Sequence, residues 1–411
     1  MAGTIIAEAQ SITVKPIPYA PSVGKRLRQE EFGCIVEGIK DINNLDDETF
    51  ATIEKLLYKH SIVVFPNRAD LTTEGQQKLT QRFDPNAIEY GHGKVGRPDN
   101  KSILHPDLRN IGGTAVQLIG NGSIDDPAIL QGLPPPTQLR HPSHQTFHKT
   151  QISDEDSEKG YTRFYRWHMD AALYERDPPK VTTLCAKVAP QGKKNIVRYD
   201  DGTGDELEVP LGGTAFASGK VMFDILPPAL KSLAIRSRVR YAPHPYVWMG
   251  PARSRSTGLG LESDGKEMHL DELPEWKEEH IKTLPLVWKN PGTGNLHFQC
   301  HPSGIQELIV DPLPEGVEAT ADTLYPEGAH LKDLKEVRDL VYSMQRPGIA
   351  PELVYVVDWK PNDLALFHNR GVLHSITGAF HPDEKRAFTQ CNLASTDVPE
   401  GPSFEDVRTY A

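Results

Sequence analysis

The sequence is poor in the features that mark secreted and membrane proteins. Only four cysteines occur among 411 residues, and none forms a C-x-x-C pair, so neither a disulfide framework nor a zinc knuckle is expected. No apolar run approaches membrane-spanning length, and the start of the chain lacks the basic and apolar regions of a signal peptide. We therefore expect a cytoplasmic protein with no membrane partner.

Positive charge is also scarce. Lys and Arg number 45 against 56 Asp and Glu, which gives a formal net charge of −11, so the basic patch of a nucleic-acid-binding protein is not expected. A hydrophobic content of 38% and a charged content of 25% are normal for a globular protein. We expect a small-molecule ligand, and the composition leaves a homo-oligomer open.

The chain shows no internal repeat of roughly 20–50 residues, which argues against a repeat array. Residues 1–25 contain Pro and Ser and predict an extended N-terminal arm, followed by one domain over 26–411. Two polar stretches, 84–160 and 250–285, predict insertions in that domain. The first of them has little periodicity, and a loop of that length in a compact domain is usually functional or disordered.

Hydrophobic periodicity predicts a fold of many short strands with helices gathered toward the N-terminus. This combination indicates a mainly β protein with appended helices (α+β), built as a sandwich or barrel. The predicted helices are 46–60, 72–83, 226–235 and 331–348. The predicted strands are 61–66, 165–173, 180–189, two within 195–219 around a "DDGTGD" turn, 363–380 and 386–394.

Four H-x-D pairs occur in the chain, and one of them predicts a metal site. They are His105/Asp107, His168/Asp170, His269/Asp271 and His381/Asp383. The first and last carry a proline between the two residues, which suits turns, and the third lies in a charged segment. Only the second is flanked by strand-like apolar residues. In a strand, residues two apart share a face, so an imidazole and a carboxylate would point to one place.

A third ligand has to come from elsewhere in the chain. Two histidines and one carboxylate bind iron(II) and leave coordination positions open for chemistry. The segment "FHNRGVLHS" offers His368 and His374, and the residues alone leave both possible. Arg386 follows His374 by 12 positions on the next apolar segment. Its planar guanidinium suits a buried carboxylate ligand.

Several motifs in order resemble the taurine dioxygenase (TauD/TfdA) family of iron(II)- and 2-oxoglutarate-dependent oxygenases. They are "WHMDAALYERDPPKVTTLCAKVAP", "GGTAFASG" and "HNRGVLH" followed by Arg386. The resemblance implies a double-stranded β-helix (jelly-roll) fold and a dioxygenase that requires Fe(II), 2-oxoglutarate and O2. It further implies that His168, Asp170 and His374 bind iron, while Arg386 and Thr214 bind the distal carboxylate of 2-oxoglutarate.

The substrate prediction depends on the residues after Arg386. Sulfonate-acting members carry a second arginine four positions on, where this chain has Gln390. Gln390 and Asn392 share a predicted strand face, and two neutral amides suit a planar polar molecule with donors and acceptors. This region and "RFYRWHMDAALY" resemble the fungal 2-oxoglutarate-dependent xanthine dioxygenases. That resemblance implies hydroxylation of xanthine to uric acid, with further substrate contacts from Gln117, Glu155 and Asp156.

Three other functions stay open at this point. The same fold and cofactors could act on an amino acid or a secondary metabolite, or on a sulfonate. A metal-binding barrel without turnover is the third, and the complete set of cofactor residues argues against it.

Overall fold

The structure is a computed structural model, and it describes residues 12–89, 109–141, 144–378, 380–381 and 383–411. Residues 1–11 of the predicted N-terminal arm and the pair His105/Asp107 lie outside these residues. In the described part, no helix is both long and apolar enough to cross a membrane.

The described residues form mainly β structure with appended helices. The α-helices are α1 Lys25–Gln29, α2 Asp47–His60, α3 Thr73–Gln81, α4 Pro127–Leu130, α5 His144–Phe147, α6 Asp154–Glu158, α7 Gly219–Asp224, α8 Pro228–Ile235, α9 Pro245–Trp248, α10 Leu334–Gln345 and α11 Phe404–Tyr410. The strands are β1 Thr13–Pro16, β2 Cys34–Glu37, β3 Ile62–Phe65, β4 Arg109–Asn110, β5 Gln117–Ile124, β6 Thr137–Leu139, β7 Tyr161–Thr162, β8 Thr182–Val188, β9 Lys194–Arg198, β10 Glu206–Pro210, β11 Thr214–Ser218, β12 Ser237–Tyr241, β13 Thr283–Pro285, β14 Val287–Lys289, β15 Leu296–Phe298, β16 Ile305–Val310, β17 Ala329–Leu331, β18 Val354–Val357, β19 Leu364–Phe367, β20 Val372–Ile376 and β21 Arg386–Asn392.

The main sheet has the strand order β1-β2-β3-β19-β8-β21-β5-β4, with β6 paired to β5. A three-stranded sheet, β18-β11-β20, lies against its inner face. Apolar side chains of both sheets form one buried cluster, in which Leu184 and Phe367 of the main sheet meet Phe216 and Val372 of the smaller one. Successive side chains along a strand point to opposite faces of the sheet, so each strand of the main sheet also places side chains on the outer face.

Helices α2 and α3 cover the outer face of the main sheet. Phe50, Ile53 and Leu57 of α2 pack with Val63 and Phe65 of β3 in a second cluster. Each such side chain contributes ~1.5–3 kcal/mol by leaving water. Asp46 caps α2 by accepting a hydrogen bond of 2.7 Å from the backbone N–H of Thr49. The helix predicted over 46–60 is confirmed.

Two expectations about secondary structure were wrong. Residues 165–173 do not form a regular strand, because the bridges at His168 and at nearby Phe164 are isolated and Leu173 has a left-handed backbone with φ 59°. Helices are not gathered toward the N-terminus, because α7, α8, α10 and α11 follow the central strands. Of these, α10 buries Val337, Val341 and Met344 in the largest apolar cluster of the described residues.

The described part of the polar stretch 84–160 also contains regular structure. Its strand β5 is integral to the main sheet and pairs with β21, with Gln117 opposite Gln390. Glycine is required at position 120, since a Cβ there would overlap the backbone carbonyl of Arg386. Because the stretch 84–160 is rich in Gly and Pro, its hydrophobic periodicity did not predict this strand.

Candidate active site

Three side chains that could bind a metal ion converge between the main sheet and the smaller sheet, whose strand β20 carries His374. The backbone N–H and C=O groups of His168 and His374 pair with each other at 2.9 and 2.8 Å, which brings the two rings to a centroid distance of 4.1 Å. The Oδ1 atom of Asp170 lies 3.8 Å from the Nε2 atom of His168 and 3.7 Å from that of His374. Within the described residues, this is the one group of three or more His, Cys, Asp or Glu with such geometry.

Alternation along an extended segment aims the first two of these side chains. His168 and Asp170 face the site, whereas Trp167 and Met169 are fully buried on the opposite side in the apolar core. Asn369 fixes the backbone at Asp170, because its amide oxygen accepts from the Asp170 N–H and its amide nitrogen donates to the Asp170 carbonyl, both at 2.8 Å. The sequence analysis quoted Asn369 within a motif but gave it no role.

The protonation of the site suits metal binding. Burial lowers the pKa of His168 well below its usual range and also lowers the pKa of His374, so both rings are neutral. The Nδ1–H of His168 donates to the carbonyl of Arg166 at 2.9 Å, which leaves the Nε2 lone pair free for a metal. The hydroxyl of Thr182 donates to Oδ2 of Asp170 at 2.6 Å. Two neutral imidazoles and a carboxylate suit a divalent transition metal with open positions.

A cavity of about 180 Å³ extends from this group between the two sheets. At one end lies Arg386, which is 1% exposed. Its guanidinium carbon stacks 3.7 Å from the centre of the Phe388 ring, and its Nε donates to the Gly212 carbonyl at 3.3 Å. Its Nη1 has no hydrogen-bond partner among the described residues, and burial lowers the pKa of Arg386 to about 9. A buried cation of this kind calls for an anionic ligand.

Thr214 lines the same cavity as Arg386. Its hydroxyl oxygen accepts a hydrogen bond of 3.0 Å from the indole N–H of Trp359, so the hydroxyl proton is available to a ligand. Gly212 precedes it in the left-handed region at φ 74°, and at Gly213 a Cβ would lie 2.7 Å from a methyl group of Val356. The two glycines therefore allow the close turn that brings the Gly212 carbonyl to Arg386.

Gln117 and Gln390 line the cavity, as predicted for substrate contacts. The Nε2 atom of Gln390 lies 3.4 Å from each carboxylate oxygen of Asp170, which puts the amide next to the metal ligands. Asn392 shares the strand face of Gln390 and is 6% exposed, but it does not line the cavity. Its Nδ2 has no hydrogen-bond partner among the described residues.

Glu155 and Asp156 are not brought to the cavity, which speaks against their predicted contact with substrate. They lie in the first turn of α6, capped by Ser153. Glu155 pairs with Lys159 at 2.7 Å, and Asp156 pairs with Arg198 at 2.9 Å. The acidic run suits the positive N-terminal end of a solvent-facing helix. This role explains the acidic residues, and no bound ligand is needed to explain them.

The other histidines considered as ligands lie elsewhere. His368 is 2% exposed and packs edge-on against Tyr58 and His297, with ring centres 5.1 and 5.9 Å apart. His269 and Asp271 pair with each other at 3.2 Å on the surface, with side chains 73% and 89% exposed. His381 is exposed. The arrangement therefore favours His374 over His368.

Sequence reasoning missed several residues of the cavity. Arg166, Tyr165 and Tyr246 line it, as does Thr182. Arg166 could have been found, because the alternation that pairs His168 with Asp170 places residue 166 on the same face. Tyr246 comes from a segment far along the chain, and no local pattern marks it.

Comparisons with known proteins agree with this arrangement. The family model described as taurine catabolism dioxygenase TauD, TfdA family matches residues 25–392. The alpha-ketoglutarate-dependent xanthine dioxygenase of Neurospora crassa is 49% identical over 406 residues, which cover 97% of this chain and 91% of that protein. The enzyme of the same description from Schizosaccharomyces pombe is 46% identical over 98% of this chain and 93% of its own length.

A solved structure with the same fold is that of a taurine dioxygenase from Burkholderia xenovorans. It aligns with a TM-score of 0.50 and 20% sequence identity, and the alignment covers 95% of this chain and 92% of the bacterial one. At that identity the likeness concerns the fold alone.

Proposed function

This chain belongs to the TauD, TfdA family of dioxygenases, and from that premise we propose that it is an iron(II)- and 2-oxoglutarate-dependent dioxygenase that hydroxylates xanthine to uric acid, with release of succinate and CO2. The observation that carries the substrate is near-full-length identity of 46–49% to enzymes described as xanthine dioxygenases. A cavity lined by Gln117 and Gln390, with Gln390 next to Asp170, supports it.

The proposed metal ligands are the Nε2 atoms of His168 and His374 and the Oδ1 atom of Asp170. Their mutual distances and the free Nε2 lone pair of His168 fit a divalent metal, and we propose iron(II). Iron bound here would supply the redox chemistry that couples O2 and the decarboxylation of 2-oxoglutarate to hydroxylation of the substrate. The chain itself holds the three ligands on one side, which leaves the cavity side open.

We propose that Arg386 and Thr214 bind the distal carboxylate of 2-oxoglutarate. Arg386 has unsatisfied donor capacity in a fully buried position, and Thr214 can donate its hydroxyl proton in the same cavity. A guanidinium binds a carboxylate with two parallel hydrogen bonds, which orients the molecule as well as holding it. The opposite end of the cosubstrate then points along the cavity toward His168 and Asp170.

Gln390 and Gln117 are the proposed contacts for the purine. Asn392 lies at the end of β21, the strand that carries Gln390. Amides both donate and accept, which matches the alternating N–H and C=O groups of xanthine. A fixed cation in place of Gln390 would favour a sulfonate, and the neutral amide removes that preference. Glu155 and Asp156 are left out of this proposal, since both are paired on the surface.

The two facing sheets support the jelly-roll, or double-stranded β-helix, as the detailed fold. We propose a single catalytic domain over 26–411, to whose main sheet β1 of the N-terminal arm adds an edge strand. A cytoplasmic location and a homo-oligomer stay predictions.

The test is to mix the purified protein anaerobically with Fe(II), 2-oxoglutarate and xanthine, admit O2, and measure succinate and uric acid together. Equal amounts of both products are expected. Succinate without uric acid would keep the oxygenase and reject xanthine, and a panel of amino acids, secondary metabolites and sulfonates would follow. Metal binding without succinate from any substrate would instead indicate a barrel that does not turn over.

A further inference from the structure

Arg166 is a buried cation in the cavity that the proposed function does not yet use. It alternates with His168 and Asp170 on the extended segment, so the three side chains face the same way. Arg166 lines the cavity and is 8% exposed. Its guanidinium carbon lies 5.5 Å from the ring centre of Tyr246 and 5.9 Å from that of Tyr165.

The guanidinium of Arg166 lacks the partners that a buried cation normally has. Its Nε and Nη1 atoms make no hydrogen bond to any described residue. Asp170 is the sole carboxylate among the residues that line the cavity, and its oxygens already accept from Thr182 and Gln390. Buried donors are paired in the great majority of folded proteins. The fork of donors is therefore available to a ligand with two adjacent acceptors.

The position of Arg166 also limits which part of a ligand it can reach. Two residues of extended chain span about 6.6 Å, so the Cα atoms of Arg166 and His168 are about that far apart. A purine that presents its C8 carbon to a metal at His168, Asp170 and His374 has N7 directly bonded to that carbon. The carbonyl oxygen O6 lies next to N7 on the same edge of the ring system.

On the premise of the proposed function, we propose that Arg166 is a substrate-binding residue that donates to O6 and N7 of xanthine, bound as the tautomer with its imidazole proton on N9, and so sets which carbon faces the metal. Arginine binds two adjacent acceptors of this kind in guanine, where the same edge carries O6 and N7. Gln390, on the main sheet, can then form hydrogen bonds with the N–H and C=O groups on the other edges of the purine. Two fixed contacts on different edges define one orientation of a planar ligand.

Two purines with a single oxygen test this without any substitution. Hypoxanthine keeps O6 and lacks the oxygen at C2, whereas 2-hydroxypurine keeps the oxygen at C2 and lacks O6. Anaerobic titration of the protein loaded with Fe(II) and 2-oxoglutarate gives the Kd of each. We expect the wild-type protein to bind 2-hydroxypurine about 5- to 150-fold more weakly than hypoxanthine, the range of one bidentate arginine contact. Equal affinities would overturn the proposal.

The variant Arg166→Met should bring the two affinities to within about threefold of each other, and Arg166→Lys should fall between, because lysine keeps the charge and loses the fork. The KM for xanthine should rise, while the KM for 2-oxoglutarate stays the same. The matched control is Arg163→Lys. Arg163 is also buried, but it pairs with Asp200 at 2.8 Å and does not line the cavity, so the preference for hypoxanthine should persist.

Each other result has a distinct meaning. If Arg166→Met raises the KM for 2-oxoglutarate and leaves the preference between the purines unchanged, Arg166 binds the cosubstrate and the proposal is wrong. Unchanged values for both ligands also reject it. Should the variant fail to fold, the comparison of the two purines in the wild-type protein decides alone. A wild-type protein that makes no uric acid from xanthine rejects the proposed function itself, whatever Arg166 does.

Discussion

The hydroxyl of Thr182 is predicted to hold the carboxylate of Asp170 in its metal-binding orientation. It donates to Oδ2 at 2.6 Å, and both residues are buried. The other oxygen, Oδ1, is the one that faces the Nε2 atoms of His168 and His374. The change Thr182→Val removes the donor and keeps the shape of the side chain.

The expected loss follows from this contact. A hydrogen bond to a charged group contributes about 1.5–3 kcal/mol, which corresponds to about 10- to 150-fold in Kd. The Gln390 amide is too distant, at 3.4 Å from each oxygen, to replace it fully. Because the bond also stabilises the metal-free protein, only the difference between the two states appears in the Kd. We therefore expect Fe(II) to bind about 10- to 100-fold more weakly, as for other partners of metal ligands.

The assay is an anaerobic titration with Fe(II), with free metal measured after equilibrium dialysis. The neighbouring Thr183 supplies the control, because its side chain points to the other face of β8. Its hydroxyl bonds to that of Thr80 at 2.8 Å and receives a 3.3 Å bond from Gln76. Thr183→Val should lower the free energy of unfolding and leave the Kd for Fe(II) unchanged. The reasoning is refuted if Thr182→Val binds iron within twofold of wild type, or if both variants weaken binding equally.

Three further predictions concern other parts of the molecule. His374→Ala should abolish metal binding and activity, whereas His368→Ala should lower the Tm and keep one metal ion per chain, as metal analysis and thermal unfolding would check. Arg386→Lys should raise the KM for 2-oxoglutarate at least about tenfold, since lysine cannot bind a carboxylate bidentately; an unchanged KM in steady-state kinetics would contradict this. Burial lowers the pKa of His297 from 6.5 to about 4, so the unfolded chain takes up a proton before the folded one. Urea unfolding should therefore show up to about 3 kcal/mol of stability lost between pH 6.5 and 4, and His297→Asn should remove much of that slope.

Local patterns were enough to single out the pair His168/Asp170 and to predict some of the regular elements. Helix α2 begins after the capping residue Asp46, and its buried apolar residues recur at helical spacing. Both features can be recognised from a short stretch of consecutive residues. The ordered motifs around His168, His374 and Arg386 identified the family, because several spaced motifs rarely occur together by chance. The choice between His374 and His368 rested on the resemblance, and the positions of the two rings agree with it.

Predictions failed where a residue type has two common uses. Glu155 and Asp156 form an acidic run that suits either a ligand or a solvent-facing helix start, and sequence does not distinguish the two. Strand β5 was overlooked because its glycines, such as Gly120, weaken the strand pattern. Those glycines are needed only because the backbone of Arg386 passes so close, which is a contact between distant parts of the chain.

The family and the alternation that aims His168 and Asp170 could be predicted from the amino-acid sequence, because they depend on neighbours in the chain or on motif order. Which charged groups lack partners depends on the tertiary structure. Arg166, Arg163 and Arg386 look alike in the sequence, yet Arg163 is neutralised by Asp200 while the other two face the cavity with unpaired donors. An ion pair forms only where the fold brings two distant side chains within about 4 Å. A local sequence pattern does not predict such a distance.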